Sequence, residues 1–533
     1  MNTEKTIPII IGVTAHRSIR ERDRAAIAAS VRRELQKLQT LCPHSRLVML
    51  NSLAEGGDLL CADAAEELGI PLIAALPMER ALFEEDFSAE ALERLDHHCR
   101  RAEQVFVTPP AEAVPDGPVS RNFLFRQSGI YVSAHSHILL ALWDGGPGTQ
   151  AACGTAETVD FSLHGSYMPL SGTAVRSEAN EAVIHIYTPR TEQPREPAGT
   201  VHLLGNTDAV RDILRRSDEF NCLAADTKTE GGRRVPLSEP DPLLERMENV
   251  SKAAGSLSVQ NAGKLRFAFG LLAVASALLT FAFLMYDEAQ AIWMILVCGL
   301  MLLAAWLCRR WAVRSDCHRR YIEYRALAES LRVQIFLRYA GSRIRTEELL
   351  PWTQQEETAW IMDALCALNT GKEPETAHDI RMCWAEAQRA YHREAGKRSG
   401  HDLLVSTRTV RFALVLSITL YLAAVIFELL CGGLIFRPLV HVTDVELYRT
   451  ILKIAMGTIS AVTLFVANYY GRLSLSRTLS DHQKMERFFR KMSERLAEQG
   501  QTEELLRVLA REELIENGNW CSYQRDNTPD VSI

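Results

Sequence analysis

Arg17 closes the run Gly12-Val13-Thr14-Ala15-His16, which follows the apolar triplet Ile9-Ile10-Ile11. A guanidinium at the end of such a run can grip a phosphate through two parallel hydrogen bonds. A second apolar run, Leu47 to Leu50, opens into Ser52-Leu53-Ala54-Glu55-Gly56-Gly57-Asp58. A third, Leu139 to Trp143, opens into Asp144-Gly145-Gly146 and then Gly154-Thr155-Ala156-Glu157-Thr158-Val159. Glycine lets a backbone approach a ligand closely, and free amides at a helix N-terminus attract an anion. The Thr155 hydroxyl would add a donor there. Each motif alone also has a plain structural explanation. His16 and Arg17 can be a cap or a surface pair, Gly56-Gly57-Asp58 a turn with a helix-terminal charge, and Gly154-Thr155 an ordinary turn. Together they make Gly12, Thr14, His16, Arg17, Ser52, Gly56, Gly57, Asp58, Asp144, Gly145, Gly154 and Thr155 the candidate ligand site. No catalytic residue, metal ligand or cofactor is assigned.

The elements that must hold these residues are strands and helices in alternation. Over residues 1–190 short apolar runs alternate with helical patterns, which predicts a parallel α/β sheet. The strands are Ile9–Ile11, Leu47–Leu50, Leu72–Leu76 closed by Pro77, Val105–Val107, Leu139–Trp143 and Val183–Tyr187. Ile27, Val31, Leu35 and Leu38 mark the first helix, and an alanine-rich helix follows the second strand. In an open parallel sheet the carboxyl ends of the strands line the ligand crevice, so the three motifs fall on one rim.

The chain has 533 residues and a formal charge of −7. With no basic surplus to neutralise phosphates, a nucleic-acid polymer is not an expected partner. The 12 cysteines show no paired or metal-type spacing and are expected to be free thiols in a reducing compartment. Met1 to Thr6 is polar and the run Ile7 to Val13 is short, so no secretory leader is read there and the first domain is expected in the cytoplasm.

Beyond residue 265 the composition changes. Phe267 to Met285 and Ile292 to Cys308 carry no charge and are separated by Tyr286-Asp287-Glu288. A bilayer core needs about 20 apolar residues in a helix, so these runs predict a membrane hairpin. Phe412 to Leu430, interrupted by Glu428, and Ile454 to Tyr470 predict a second hairpin. Lys264 and Arg266 precede the first and Arg309, Arg310 and Arg314 follow it; Arg408 and Arg411 precede the second and Arg472 and Arg477 follow it. This bias places both termini in the cytoplasm and Asp287 and Glu288 outside. The second connection carries Arg437, Arg449 and Lys453, so the bias is weaker there. Glu428 is either an interfacial residue that reaches water or one carboxylate of a ring at the mouth of an oligomeric pore.

Each hairpin continues into an amphipathic pattern. Tyr321, Tyr324, Ala328, Leu331 and Ile335 form the first stripe, with Arg325 and Glu329 as a surface pair. Met485, Phe489, Met492 and Leu496 form the second. The two modules begin about 145 residues apart, at Phe267 and Phe412, which suggests a duplication. The expected division is 1–190, a ligand-binding domain; 191–245, a linker or accessory segment; 246–345, the first hairpin with its cytoplasmic helix; 346–400, a cytoplasmic helical connector; and 401–533, the second hairpin with its C-terminal helix. The chain is expected to be multi-pass in the inner (cytoplasmic) membrane. A homo-oligomer is expected, since four spans enclose little pore.

The motifs GVTAHR, SLAEGGD, LP, ALWDGG and GTAETV, in that order over about residues 7–190, resemble the SLOG superfamily. That group includes the Smf/DprA proteins and the LOG phosphoribohydrolases. The resemblance implies a Rossmann-like domain binding a nucleotide or nucleotide-derived ligand. YIEYRALAESLR, WAEAQRAYHREAGKR and ELIENGNW, within about residues 245–525, resemble SLATT membrane modules. These imply a pore-forming or membrane-perturbing effector in bacterial anti-phage defence. One departure bears on activity. LOG enzymes carry a GGxGTxxE loop; Gly145-Gly146-Pro147-Gly148-Thr149 matches its start, but Ala152 stands where the glutamate would be, and Glu157 is one residue too close to Gly154-Thr155. A ligand-gated membrane effector is therefore the leading expectation, ahead of a membrane-tethered hydrolase or a non-catalytic scaffold.

Overall fold

The three isoleucines at the start of the chain lie at the centre of a sheet, not at its edge. A computed structural model of the chain describes residues 3–526, apart from 113, 115–117, 147–153, 166–181, 229–233, 237–240, 351–358, 375, 433–439, 441–442 and 473–474. Its first part runs β1 (Ile9–Ala15), α1 (Glu21–Leu41), β2 (Leu47–Asn51), α2 (Gly57–Glu67), β3 (Leu72–Leu76), α3 (Ala89–Arg101), β4 (Gln104–Val107), α4 (Arg121–Ala134), β5 (Ile138–Trp143), α5 (Thr155–His164), β6 (Ala182–Tyr187), β7 (Val201–Gly205) and α6 (Thr207–Ala225). The sheet order is β4-β3-β2-β1-β5-β6-β7. All pairings are parallel except β6 with β7. Strands β2, β3 and β6 are buried at every position, as expected of strands covered on both faces. The domain is a Rossmann-like α/β sheet, as the sequence pattern predicts.

Residues 191–245, expected as a linker or accessory segment, hold β7 and α6. These two elements are part of the fold. Asn221 of α6 clasps the backbone of Ile7 with two bonds of 2.8 Å, and Asp218 receives the His44 amide at 2.9 Å and the Ser45 hydroxyl at 2.7 Å. No hydropathy signal marks such long-range polar contacts.

Strand order reverses at β1. The chain moves outward from β1 to β4, then crosses back to place β5 on the other side of β1, with Val13, Thr14 and Ala15 beside Leu140, Ala141 and Leu142. Connections leaving β1 and β5 diverge, and a crevice opens between them at the carboxyl ends of the strands.

The helical part follows as α7 (Pro242–Asp287), α8 (Met294–Arg314), α9 (Cys317–Tyr339), α10 (Ala359–Asn369), α11 (Ala387–Phe427), α12 (Val445–Arg472), α13 (Leu475–Gln499) and α14 (Glu503–Asp526). Among the described residues four helical stretches, Pro242–Asp287, Met294–Tyr339, Arg381–Cys431 and Val445–Val466, are long and apolar enough to cross a membrane. Within them Phe267, Leu296, Phe412 and Leu464 are each more than 60% exposed. Apolar side chains at that density face lipid or another subunit, since water would oppose them by roughly 25 cal/mol per Å². The protein is a membrane protein. The Cys308 thiol reaches the Ala268 carbonyl at 3.6 Å, and the hydroxyls of Ser417 and Thr463 meet at 3.1 Å, which closes each pair of spans as an antiparallel hairpin.

The chain clusters into two units: residues 1–257, 323–379 and 501–521 in one, and 258–322, 380–500 and 522–533 in the other. The stripe expected after the first hairpin is corrected within the first unit. Tyr324, Ala328, Leu331 and Ile335 are buried, but so are Glu323, Ser330 and Gln334 on other faces of α9. A helix covered all round has no solvent face. Glu323 is satisfied there by Arg216 at 2.8 Å and by the Trp360 indole at 3.0 Å. Nor is Arg325 merely one half of a surface pair, for its guanidinium lies 3.9 Å from the centre of the Trp520 ring. In the second unit Met485, Phe489, Met492 and Leu496 form one buried face of α13, with His392 stacked on Phe489.

Candidate functional site

The crevice at the carboxyl ends of β1 and β5 is a cavity of about 320 Å³. Thr14, His16, Arg17, Ser52, Asp58, Gly154 and Thr155 line it. Five other candidates do not. Gly12 lies behind the wall, where a Cβ would fall 2.7 Å from the Ser136 hydroxyl. Gly56 and Gly57 serve the close approach of two loops. A Cβ at either would overlap the segment Ala15–Arg17, and the Gly57 amide donates to the His16 carbonyl at 3.0 Å. Gly145 takes a turn of φ +73°, and Asp144 points to other partners.

His16 lines one side of the cavity, with Asp144 behind it. The backbone amide of Asp144 donates to His16 Nε2 at 3.1 Å, which requires a neutral ring accepting at that atom. Burial and the nearby Arg190 lower the affinity of His16 for a second proton. Burial would raise the Asp144 carboxyl, but the Gly146 amide and Arg190 outweigh it and hold it at about 2. Arg190 Nε lies 2.8 Å from its Oδ2.

Arg17 is half exposed and already engaged. It meets Asp86 at 3.1 Å and lies 4.8 Å over the Phe125 ring. A ligand phosphate would have to draw the guanidinium from Asp86.

Asp58 is the most unusual group. It sits in the first turn of α2 and is 5% exposed. Its Oδ2 accepts the Ala54 amide at 3.2 Å, and among the described residues its Oδ1 has no partner within ordinary hydrogen-bond geometry. Burial pushes its pKa up to about 7, against the opposing pull of the Ala54 amide and Arg17. A buried carboxyl oxygen without a partner is costly to leave so, and Asp58 is one of the residues that line the cavity.

The N-terminus of α5 lines the same cavity. Gly154 occupies the cap position and no side chain caps the helix. The amides of Glu157 and Thr158 return to the Gly154 carbonyl at 3.0 and 3.1 Å. The amides before them have no turn of helix to bond with and can receive an anion. Glu157 does not face this space as a base; its carboxylate holds Arg126, which also meets Glu112 at 3.0 Å. Ala152 and the rest of 147–153 lie outside the described residues.

Sequence reading did not single out Phe125, Ser128, Gly129 and Arg190, which also line the cavity. Three belong to α4, whose start is marked by Ser120 accepting the Phe123 amide at 3.2 Å. That serine was the available signal. Ser128 meets Ser52 hydroxyl to hydroxyl at 2.7 Å, and Gly129 leaves room for Thr158.

In the second unit Glu428 is paired within the chain. Both its oxygens are taken by Arg449, at 2.7 and 2.7 Å. Arg449 also reaches Glu446 at 2.7 Å. All eleven described cysteines are free; Cys153 lies outside the described residues.

The cleft offers a helix N-terminus, an arginine paired with Asp86, hydroxyls and one buried acid. That set suits a small ligand with a negative group at one end and hydrogen-bond donors at the other. A scan against protein-family models finds no match for this chain, and a search of curated proteins finds none either.

Proposed function

We propose that the protein is a membrane effector whose α/β domain binds a phosphate-bearing, nucleotide-derived ligand and thereby alters the state of its spanning helices. The observation that carries this reading is that the buried carboxyl of Asp58 and the N-terminus of α5, which has no side-chain cap at Gly154, line one cleft at the switch point of the sheet. Phosphate belongs at α5 and Arg17, and a hydroxyl or amine donor at Asp58. Helix α7 supplies a covalent route for the signal, since it is continuous from Pro242 to Asp287 and includes the first span. Binding shifts the helices only if the ligand prefers one of two conformations.

The resemblance to SLOG and SLATT proteins supports the same reading, and with it a role in anti-phage defence. In it the α/β domain and both termini are cytoplasmic, and the working form is a homo-oligomer.

The test is small-molecule analysis of the purified full-length protein, followed by calorimetry with AMP, ADP, ADP-ribose and NAD and by ion flux in liposomes. The expected result is one nucleotide-type ligand per chain and a flux that changes on its addition. Binding without any change in flux would leave a sensor or scaffold, and turnover of the ligand would replace the effector with a hydrolase.

A further inference from the structure

We infer that the last turns of α2 and α3 form a binding site for a divalent transition-metal ion, zinc by its ligand chemistry. Glu66, His97 and His98 place one carboxylate oxygen and two imidazole nitrogens within 4.8 Å of one another. Glu66 Oε2 lies 2.8 Å from His97 Nε2 and 3.8 Å from His98 Nδ1. Ligands about 2.0–2.1 Å from a tetrahedral zinc are themselves about 3.4 Å apart. The two separations bracket that value, so small side-chain shifts admit the ion.

The supporting shell is in place as well. His98 is 3% exposed, and its Nε2 lies 2.8 Å from Asp63 Oδ1. A proton on Nε2 leaves the lone pair on Nδ1, directed to the side of Glu66. A carboxylate behind a histidine is the usual device that fixes a metal-binding tautomer. At 3.8 Å the Nδ1–Oε2 pair is beyond hydrogen-bond range, and a cation between them would take the Nδ1 lone pair and share Oε2, which now meets His97. Arg101 holds the other oxygen of Glu66, Oε1, at 2.8 Å. It can stay there while Oε2 binds metal. Two imidazoles and one carboxylate leave a fourth position for water and suit zinc, copper or nickel better than calcium or magnesium. The competing explanation is an imidazolium at His98 shared by two carboxylates, which needs no metal.

Bound metal would join α2 to α3. It would pin the end of the helix whose first turn carries Asp58. The site does not depend on the ligand proposed for the cleft.

Cobalt titration of the tag-free, EDTA-treated full-length protein in detergent tests this directly. Tetrahedral d–d absorption should appear at one ion per chain and vanish on adding zinc. His97→Ala and Glu66→Gln, each at a partly exposed position, should weaken cobalt binding by at least about tenfold, and Asp63→Asn by about 10–100-fold through loss of orientation. Zinc should raise the melting temperature of the native chain and not that of His97→Ala. Metal-free melting curves that match the native chain show these variants to be folded. Absence of the absorption band, or native affinity in both His97→Ala and Glu66→Gln, overturns the site in favour of the shared imidazolium.

Discussion

Gly56 lies beneath Arg17, so close that a Cβ on residue 56 would overlap the Arg17 carbonyl oxygen. Its φ of +99° is also one that residues with a side chain rarely adopt. The loop carrying His16 and Arg17 therefore rests on the start of α2, and the two halves of the cleft are built as one piece. Gly56→Ala is expected to destabilise the α/β domain by roughly 1–3 kcal/mol from backbone strain alone. Thermal unfolding of the full-length protein measures this, and an unchanged melting curve would show that the loop is not so seated.

Arg17→Ala should weaken binding of a phosphate-bearing nucleotide by about 10–150-fold, the usual cost of a charged hydrogen-bonding group. Asp86→Asn should act in the opposite direction, because it frees the guanidinium that Asp86 now holds at 3.1 Å. Calorimetry on both variants separates a ligand role for Arg17 from a purely structural pair, for which neither affinity would move.

Asp58 couples stability to pH. Its folded pKa, about 7, lies above the ordinary carboxyl value, so the folded state holds a proton that the unfolded state has lost between about pH 4 and pH 7. Its contribution is fully present below that window and is lost as pH rises through it. Asp58→Asn, which cannot ionise, should be more stable than the native chain near pH 8, by up to about 4 kcal/mol, and the gap should close towards about pH 4. Melting temperatures across this range check the sign. A gap that widens on acidification contradicts the assignment.

Glu428 and Arg449 should behave as one unit. Either single change, Glu428→Gln or Arg449→Gln, is expected to lower the thermal stability of the protein in nanodiscs. Exchanging the two residues, Glu428→Arg with Arg449→Glu, should restore much of it, because the bidentate pair is kept. If the exchange behaves no better than the single changes, the pair does not hold the second hairpin.

A reporter fused at Glu288 should lie across the membrane from one fused at the C-terminus, as the flanking arginines require. Reporters on the same side would refute the two-hairpin topology.

Hydropathy and spacing alone determined the class of this protein. Continuous apolar runs between glycine-rich turns marked six strands, and uncharged runs of membrane length marked four spans, because both signals are local and depend on burial at every position or on one solvent. They also placed seven lining residues of the cleft, since a residue that follows a parallel strand must emerge on the same rim. What the sequence could not determine depends on contacts between distant segments. The exposed alternation of β7 and the polar anchors Asn221 and Asp218 on α6 became legible only when packed on Ile7 and Ser45. Gly56 and Gly57 read as ligand glycines, yet the fold uses them to let one loop cross another. Asp58 could be named from its motif, but its lack of a partner is a property of the cavity around it. The same holds for Glu66, His97 and His98, which are a loop and a strand apart in the chain. Only the packing of α2 against α3 brings them within reach of one ion.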